Sequence, residues 1–187
     1  METLSGQLLV AAPELLDPNF ARTIVLMVEH TDQGALGLVV NRPSEKSLAE
    51  LWREVVEGEC ENDRPIHIGG PVPGPLMALH GAADLAELTV CNGVYFSAKN
   101  DNLDRLVRRA DVPLKVFVGH SGWGPGQLEN EMEMGGWIVA GGSASIVFSD
   151  SDATWDQLIA DCGGGRRSGR VAKMLDIRNI PPDPTVN

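Results

Sequence analysis

Strand-length apolar runs that follow one another with no helix between them constrain this chain more than any other feature. Residues 7–12 (QLLVAA), 23–29 (TIVLMVE) and 35–40 (ALGLVV) are rich in Val, Ile and Leu, and are parted only by Pro13, Asp17-Pro18 and Asp32-Gln33-Gly34. Such runs read as strands, the last two as a hairpin. A parallel β-α-β connection needs a helix in the gap, so these strands belong to a largely antiparallel or mixed sheet. Further strands are expected at 66–68, 75–79, 93–96, 113–119, 137–140 and 144–148.

Helices are fewer. Ser47, with Glu50 three residues later, forms a capping box ahead of Leu48, Leu51, Trp52 and Val55, which share one face. A second helix at 101–109 turns Leu103, Leu106 and Val107 inward and Arg105, Arg108 and Arg109 outward. Pro125 suits the first turn of a third, in which Leu128 and Met132 face the core while Glu129 and Glu133 share another face. A last helix at 153–161 aligns Trp155, Leu158, Ile159 and Cys162. The class that follows is α+β with a strongly curved sheet.

Residues 116–131 read VFVGHSGWGPGQLENE, and Gly119-His120-Ser121-Gly122 is part of a serine hydrolase's nucleophile elbow. The complete elbow has glycines two residues before and two after the serine, because its strained turn leaves no room for side chains, and it belongs to a doubly wound sheet. Gly119 meets the first condition; Trp123 fails the second. Neighbouring strand residues point to opposite faces, so His120 would serve Ser121 poorly as a base. A hydrolase using Ser121, with His120 or His30 as base, rests on GHSG alone. The glycine-rich turn before the third helix could hold an anion, but Glu129, Glu131 and Glu133 repel one and already load the positive helix end.

Gly69-Gly70-Pro71 reads as a tight turn, lacking both the glycine spacing of a dinucleotide site and the lysine of a phosphate loop. In Asn41-Arg42-Pro43 the proline ends a strand, and Arg42 is placed to bind an acidic group or to pair with Glu45 or Glu29. His30, His67, His80 and His120 have no metal-ligand spacing and read as strand-end or surface histidines. No metal and no cofactor are expected.

At 187 residues one domain is expected, over 1–162, followed by a basic tail at 163–187. The chain holds 15 basic and 26 acidic residues, a net charge of −11. The tail carries Arg166, Arg167, Arg170, Lys173 and Arg178 against Asp176 and Asp183, which is +3 and leaves −14 for the rest. An acidic body repels nucleic acid, which argues against direct DNA binding. The tail is short and lacks interleaved aromatics, so it reads as a solvated segment folding back on that body rather than as a DNA-binding arm. No apolar run approaches the ~20 residues of a membrane span, and the first residues lack the basic region of a secretory signal. A cytoplasmic protein without membrane contact is expected. Cys60, Cys91 and Cys162 are odd in number and widely spaced, hence buried thiols rather than a disulfide framework.

The order of motifs LLVAAP, DPNFARTIVLMVEH, GALGLVVNRPS, IGGPV, LHG, GVYFS and GWGPGQLENE, then Gly136-Trp137, resembles the bacterial AlgH/YqgE family over about Gly6 to Trp155. The resemblance implies a single α+β domain whose bifurcated sheet forms a pseudo-barrel with helices outside. It implies no established enzymatic activity, and some members carry a label as transcriptional regulators of alginate synthesis. His120-Ser121 stands where the family pattern usually has an aromatic and a small apolar residue, which speaks against Ser121 as a family-wide nucleophile. A non-catalytic binding or regulatory domain is therefore expected, with a protein or small-molecule partner. Its groove would be lined by the turns at Asn41-Arg42-Pro43, Gly69-Gly70 and Gly122-Trp123, with Gln127 and Glu129.

Overall fold

The structure is a computed structural model that describes residues 3–56 and 60–163. The basic tail, with Arg166, Arg167, Arg170 and Lys173, lies outside the described residues. In chain order the elements are β1 (Gln7–Ala11), β2 (Ile24–Thr31), β3 (Gly34–Val39), β4 (Pro43–Ser47), α1 (Leu48–Val55), β5 (Pro65–Ile68), β6 (Met77–His80), β7 (Leu88–Cys91) and β8 (Val94–Ser97). They continue with α2 (Asn100–Val107), β9 (Leu114–Val118), β10 (Ser121–Trp123), α3 (Gln127–Glu133), β11 (Trp137–Gly141), α4 (Ala144–Val147) and α5 (Thr154–Gly163).

The strands form two sheets, β10-β3-β2-β1-β11 and β4-β5-β9-β6-β8-β7. The pairings are antiparallel except β5 with β9, which run parallel. This is the expected α+β class with a mixed sheet. The sheets stay open rather than closing into a barrel; the chain crosses between them after β3 and after β9, where an isolated bridge joins Val72 to His120.

Period-two alternation explains the layers. On β1 and β2, Leu8, Val10, Ile24, Leu26 and Val28 point into the space between the sheets, where they meet Met77, Leu79, Val94 and Phe117 of the second sheet. Leu9, Ala11, Val25 and Met27 point the other way, under Leu128, Trp123 and Trp137. On the far side of the second sheet, Ala78, Leu114 and Val116 pack against Leu51 and Trp52 of α1 and Leu103 and Leu106 of α2. Each large apolar side chain buried this way stabilises the fold by roughly 1.5–3 kcal/mol.

The capping box at α1 is complete: the Ser47 hydroxyl accepts from the Glu50 N–H, and the Glu50 carboxylate accepts from the Ser47 N–H. Leu103, Leu106 and Val107 are buried on α2 as their spacing predicts. The run 144–148 is helical, not extended. Its length leaves the period ambiguous, and one helical turn lets Val147 reach the inter-sheet core beside Trp155 and Leu158. Three strands lay below the sequence signal: β4 is polar and forms only by pairing with β5, β7 is mostly exposed, and β10 is three residues long. The three cysteines are free, with Cys60 buried and Cys91 and Cys162 half-buried. Among the described residues no helix is long and apolar enough to cross a membrane.

Candidate functional site

The segment that carries the strongest motif builds the fold. Ser121 is fully buried on β10, and its hydroxyl donates to the Gly69 carbonyl at 3.1 Å. That bond fastens the Gly69-Gly70 turn against the chain leaving β9. Gly119 and Gly70 both have positive φ (71° and 156°), and a methyl group at Gly70 would overlap the His120–Ser121 peptide. Two backbones meet there at a distance only glycine permits.

Beyond this seam, Trp123 and Trp137 both donate their indole N–H to Glu131 Oε2, at 3.0 and 2.8 Å, and Gln127 Nε2 donates to Oε1 at 3.2 Å. The Gln127 amide oxygen in turn accepts from the Gly124 N–H at 3.1 Å. Phe20 stacks on Trp123 and meets Trp137 edge-on. Glu131, read from sequence only as a charge near the helix end, is the hub of this clamp. Glu129 lies one step away, 3.0 Å from His30 Nε2, while His30 Nδ1 accepts from the Leu4 N–H. That acceptor role fixes the tautomer, with the proton on Nε2 donated to Glu129. Gly122 is exposed in the middle of β10, an edge strand of its sheet.

Asn41, Arg42 and Pro43 lie elsewhere, on the wall of a cleft of about 570 Å3 at one end of the inter-sheet space. Asn41 Oδ1 accepts from the Ile24 N–H at 2.8 Å and its Nδ2 donates to the Arg22 carbonyl at 2.9 Å. This bracket holds Arg22 at φ 57°, a left-handed conformation that a non-glycine residue adopts at a cost. Arg42 pairs with neither Glu45 nor Glu29; its guanidinium donates to the carbonyls of Pro18, Asn19 and Ala21 and staples the DPNFAR loop. The facing wall is Ser149–Asp152. Gly69, Gly70, Gly122, Trp123, Gln127 and Glu129 are not among the residues lining this cleft.

The floor is His67 and Lys115, which no motif marked. Both replace an apolar residue on the inner face of the second sheet. Along β9, Leu114 and Val116 face the helices, so Lys115 and Phe117 face the other sheet. On β5 the same alternation sends Ile66 outward and His67 inward, where its ring lies 5.7 Å from that of Phe117. Lys115 is 4% exposed, and its Nζ donates to the carbonyls of Val40 at 3.0 Å and Ser149 at 2.7 Å, with Asp150 Oδ1 at 3.8 Å. Burial lowers its pKa to about 8, against an opposing pull from Asp150. His67 is 3% exposed, and its Nδ1 is buried with no hydrogen-bond partner. Burial first, and then the Lys115 charge, lower its pKa to about 4, so the ring is neutral at physiological pH.

Of the strand-end or surface reading of the histidines, the surface part is corrected: His30, His67 and His80 are all buried, although His80 does end β6 and His30 is the last residue but one of β2. His80 is satisfied by Ser97 and the Ala82 N–H; His67 is not. Trp52 Nε1 and His120 Nδ1 are also buried without a partner, but of these three residues only His67 lines the cleft. A larger and more open hollow of about 730 Å3 lies beside Cys60–Arg64 and Val107–Ala110, but there Asn62 and Arg64 spend their donors on the carbonyls of Val107, Ala110 and Val112. Among the described residues no cluster of His, Cys, Asp and Glu could hold a metal ion.

The AlgH-like family model (DUF179) matches residues 8–167. A UPF0301 protein of Chlorobium limicola is 34% identical over 169 residues, 87% of this chain and 88% of its own length. One from Myxococcus xanthus is 35% identical over 170 residues, 87% of this chain and 93% of its own. Among solved structures, the AlgH protein from Pseudomonas aeruginosa superposes with a TM-score of 0.71 at 28% identity, covering 89% of this chain and 94% of that one. Protein DIP2367 from Corynebacterium diphtheriae shares the fold, with a TM-score of 0.69 at 23% identity over 86% and 88% of the two chains. The chain belongs to the AlgH-like family.

Proposed function

We propose that this AlgH-like domain binds a small polar molecule without turning it over, in the cleft walled by Asn41-Arg42-Pro43 and Ser149–Asp152. The observation that carries this reading is the unpartnered His67 Nδ1 beside the buried Lys115 ammonium, on the floor of a cleft of ordinary ligand-site size. Occupancy would order the cleft's two walls, and any effect on transcription would run indirectly through that state rather than through DNA contact by an acidic body. Ser121 plays no chemical part in this scheme, because its hydroxyl is committed to Gly69.

The test is a backbone amide NMR titration of the full chain with a library of small polar metabolites. Binding at the cleft shifts the amides of Arg42, His67, Lys115 and Asp150, and Lys115→Met weakens the affinity on the order of tenfold or more, the usual worth of a charged hydrogen bond. Ligands that shift only residues elsewhere, or a library with no binder, would refute the reading.

A further inference from the structure

Lys115 lines two hollows at once. Besides the main cleft, a smaller one of about 260 Å3 shares Pro65, His67, Lys115 and Asp150 with it and is closed by Arg64, Pro113, Leu114 and Phe148. The amine is thus buried in the wall between two spaces rather than sealed in the core. Its hydrogen bonds are also unusual in number. The Val40 and Ser149 carbonyls take two N–H bonds, which is the full complement of an uncharged amine, and among the described residues the further polar partner near Nζ is the Asp150 carboxylate at 3.8 Å. An ammonium here keeps one proton short of a close acceptor. A free amine would have both hydrogens satisfied and its lone pair on the remaining side.

We propose that Lys115 is a covalent capture site, its amine condensing reversibly with the aldehyde or ketone group of a small polar ligand in the cleft. This rests on the binding reading above. The Nζ lone pair bonds to the carbonyl carbon as the carbon–oxygen π bond breaks, and one Nζ proton passes to the oxygen, giving a carbinolamine; that hydroxyl then takes the proton held on Asp150 and leaves as water, and the nitrogen lone pair closes a protonated carbon–nitrogen double bond. Asp150 is the nearest base for the proton the ammonium must first release. Nothing is oxidised or reduced, and hydrolysis reverses the step. The unpartnered His67 Nδ1 is available to a hydroxyl of the captured ligand. A protonated imine keeps one N–H, so capture gives up one of the two carbonyl bonds, and the Ser149 bond is the less buried of the two.

The depressed pKa of about 8, against an ordinary 10.5, leaves Lys115 with on the order of a hundredfold more free amine near neutral pH than a surface lysine. Burial and a lower nucleophilicity give part of that back. The experiment uses the full chain, pyridoxal as probe and borohydride as trap, with peptide mapping of Lys46, Lys99, Lys115 and Lys173. The expected result is a label on Lys115 on the order of tenfold above that on each other lysine, and its loss in Lys115→Arg, which keeps donors for both carbonyls. A label spread evenly over the lysines, or absent from Lys115, overturns capture. NMR shifts without borohydride separate the two readings: cleft shifts with no Lys115 adduct leave binding intact and remove capture, whereas no cleft shifts and no adduct with any carbonyl metabolite of the library remove both.

Discussion

The clamp around α3 and the cleft beside Lys115 treat buried polar groups in opposite ways. At the clamp, two indoles, a glutamine and a glutamate answer one another, so burial costs little and the segment is rigid. In the cleft, His67 Nδ1 has no partner, and the Lys115 charge is held by carbonyls. The clamp and its glycine seam carry the GWGPGQLENE and IGGPV motifs, while the NRPS motif and the end of the DPNFAR loop form a wall of the cleft. The cleft's floor lies on ordinary strands. The segment 116–131 thus spends most of its polar groups on the fold, whereas His67 and Lys115 bring polar side chains to inner-face strand positions that otherwise hold apolar ones.

The contrast can be broken most forcefully at Glu131. Replacing it with Ala leaves the Trp123 and Trp137 indole N–H groups without their acceptor. A loss of about 3–4 kcal/mol in denaturant unfolding is expected, given the cost of orphaned donors and lost charge-assisted bonds. Glu131→Gln, which keeps an acceptor oxygen, should recover part of it. A loss under about 1 kcal/mol for the alanine variant would mean that the clamp is dispensable.

The next largest effect lies in the cleft and depends on pH. His67 titrates near 4 in the fold and near 6.5 when unfolded, so between those values the unfolded chain binds more protons. Stability therefore falls as pH drops through that window, by up to about 3 kcal/mol from this residue. His80 and His120 are also lowered by burial and add to the fall with the same sign. In His67→Gln the slope should shrink but persist. Equal slopes in the two proteins would show that His67 is not the strained group.

The smallest effect is expected at the rim. Asp156 pairs with Arg22 at 2.7 Å, but both side chains are more than half exposed. Asp156→Asn should change stability by less than about 0.5 kcal/mol, as exposed pairs usually do. A change of several times that size would mean that this ion pair helps hold Arg22 at its left-handed φ, which would make the rim part of the strained cleft.

Much of the frame was legible because it depends on local pattern. The apolar runs at 7–12, 23–29 and 35–40 marked β1, β2 and β3, and the Ser47–Glu50 box set the start of α1. Where the pattern is too short or too polar it misleads: 144–148 has the composition of a strand but is helical, and β4 has no apolar signal because its pairing with β5 overrides a weak propensity. The charge of Arg42 suggests an acidic partner, but loop carbonyls brought close by the fold take its donors.

Lys115 did leave a trace in the sequence. In LKVFV it shares a face with Phe117, a place where the period calls for an apolar side chain. By itself, then, the sequence determined the long apolar strands, the start of α1, the acidic charge and the motif order that marks the family, because each is a matter of neighbours along the chain. Only the tertiary structure decided that Glu131 would bind two tryptophans, that Ser121 would be spent on a backbone carbonyl, and that His67 would be buried beside Lys115 without a partner. Those outcomes depend on which distant groups share a dry interior, where one hydrogen bond made or missing outweighs local preference.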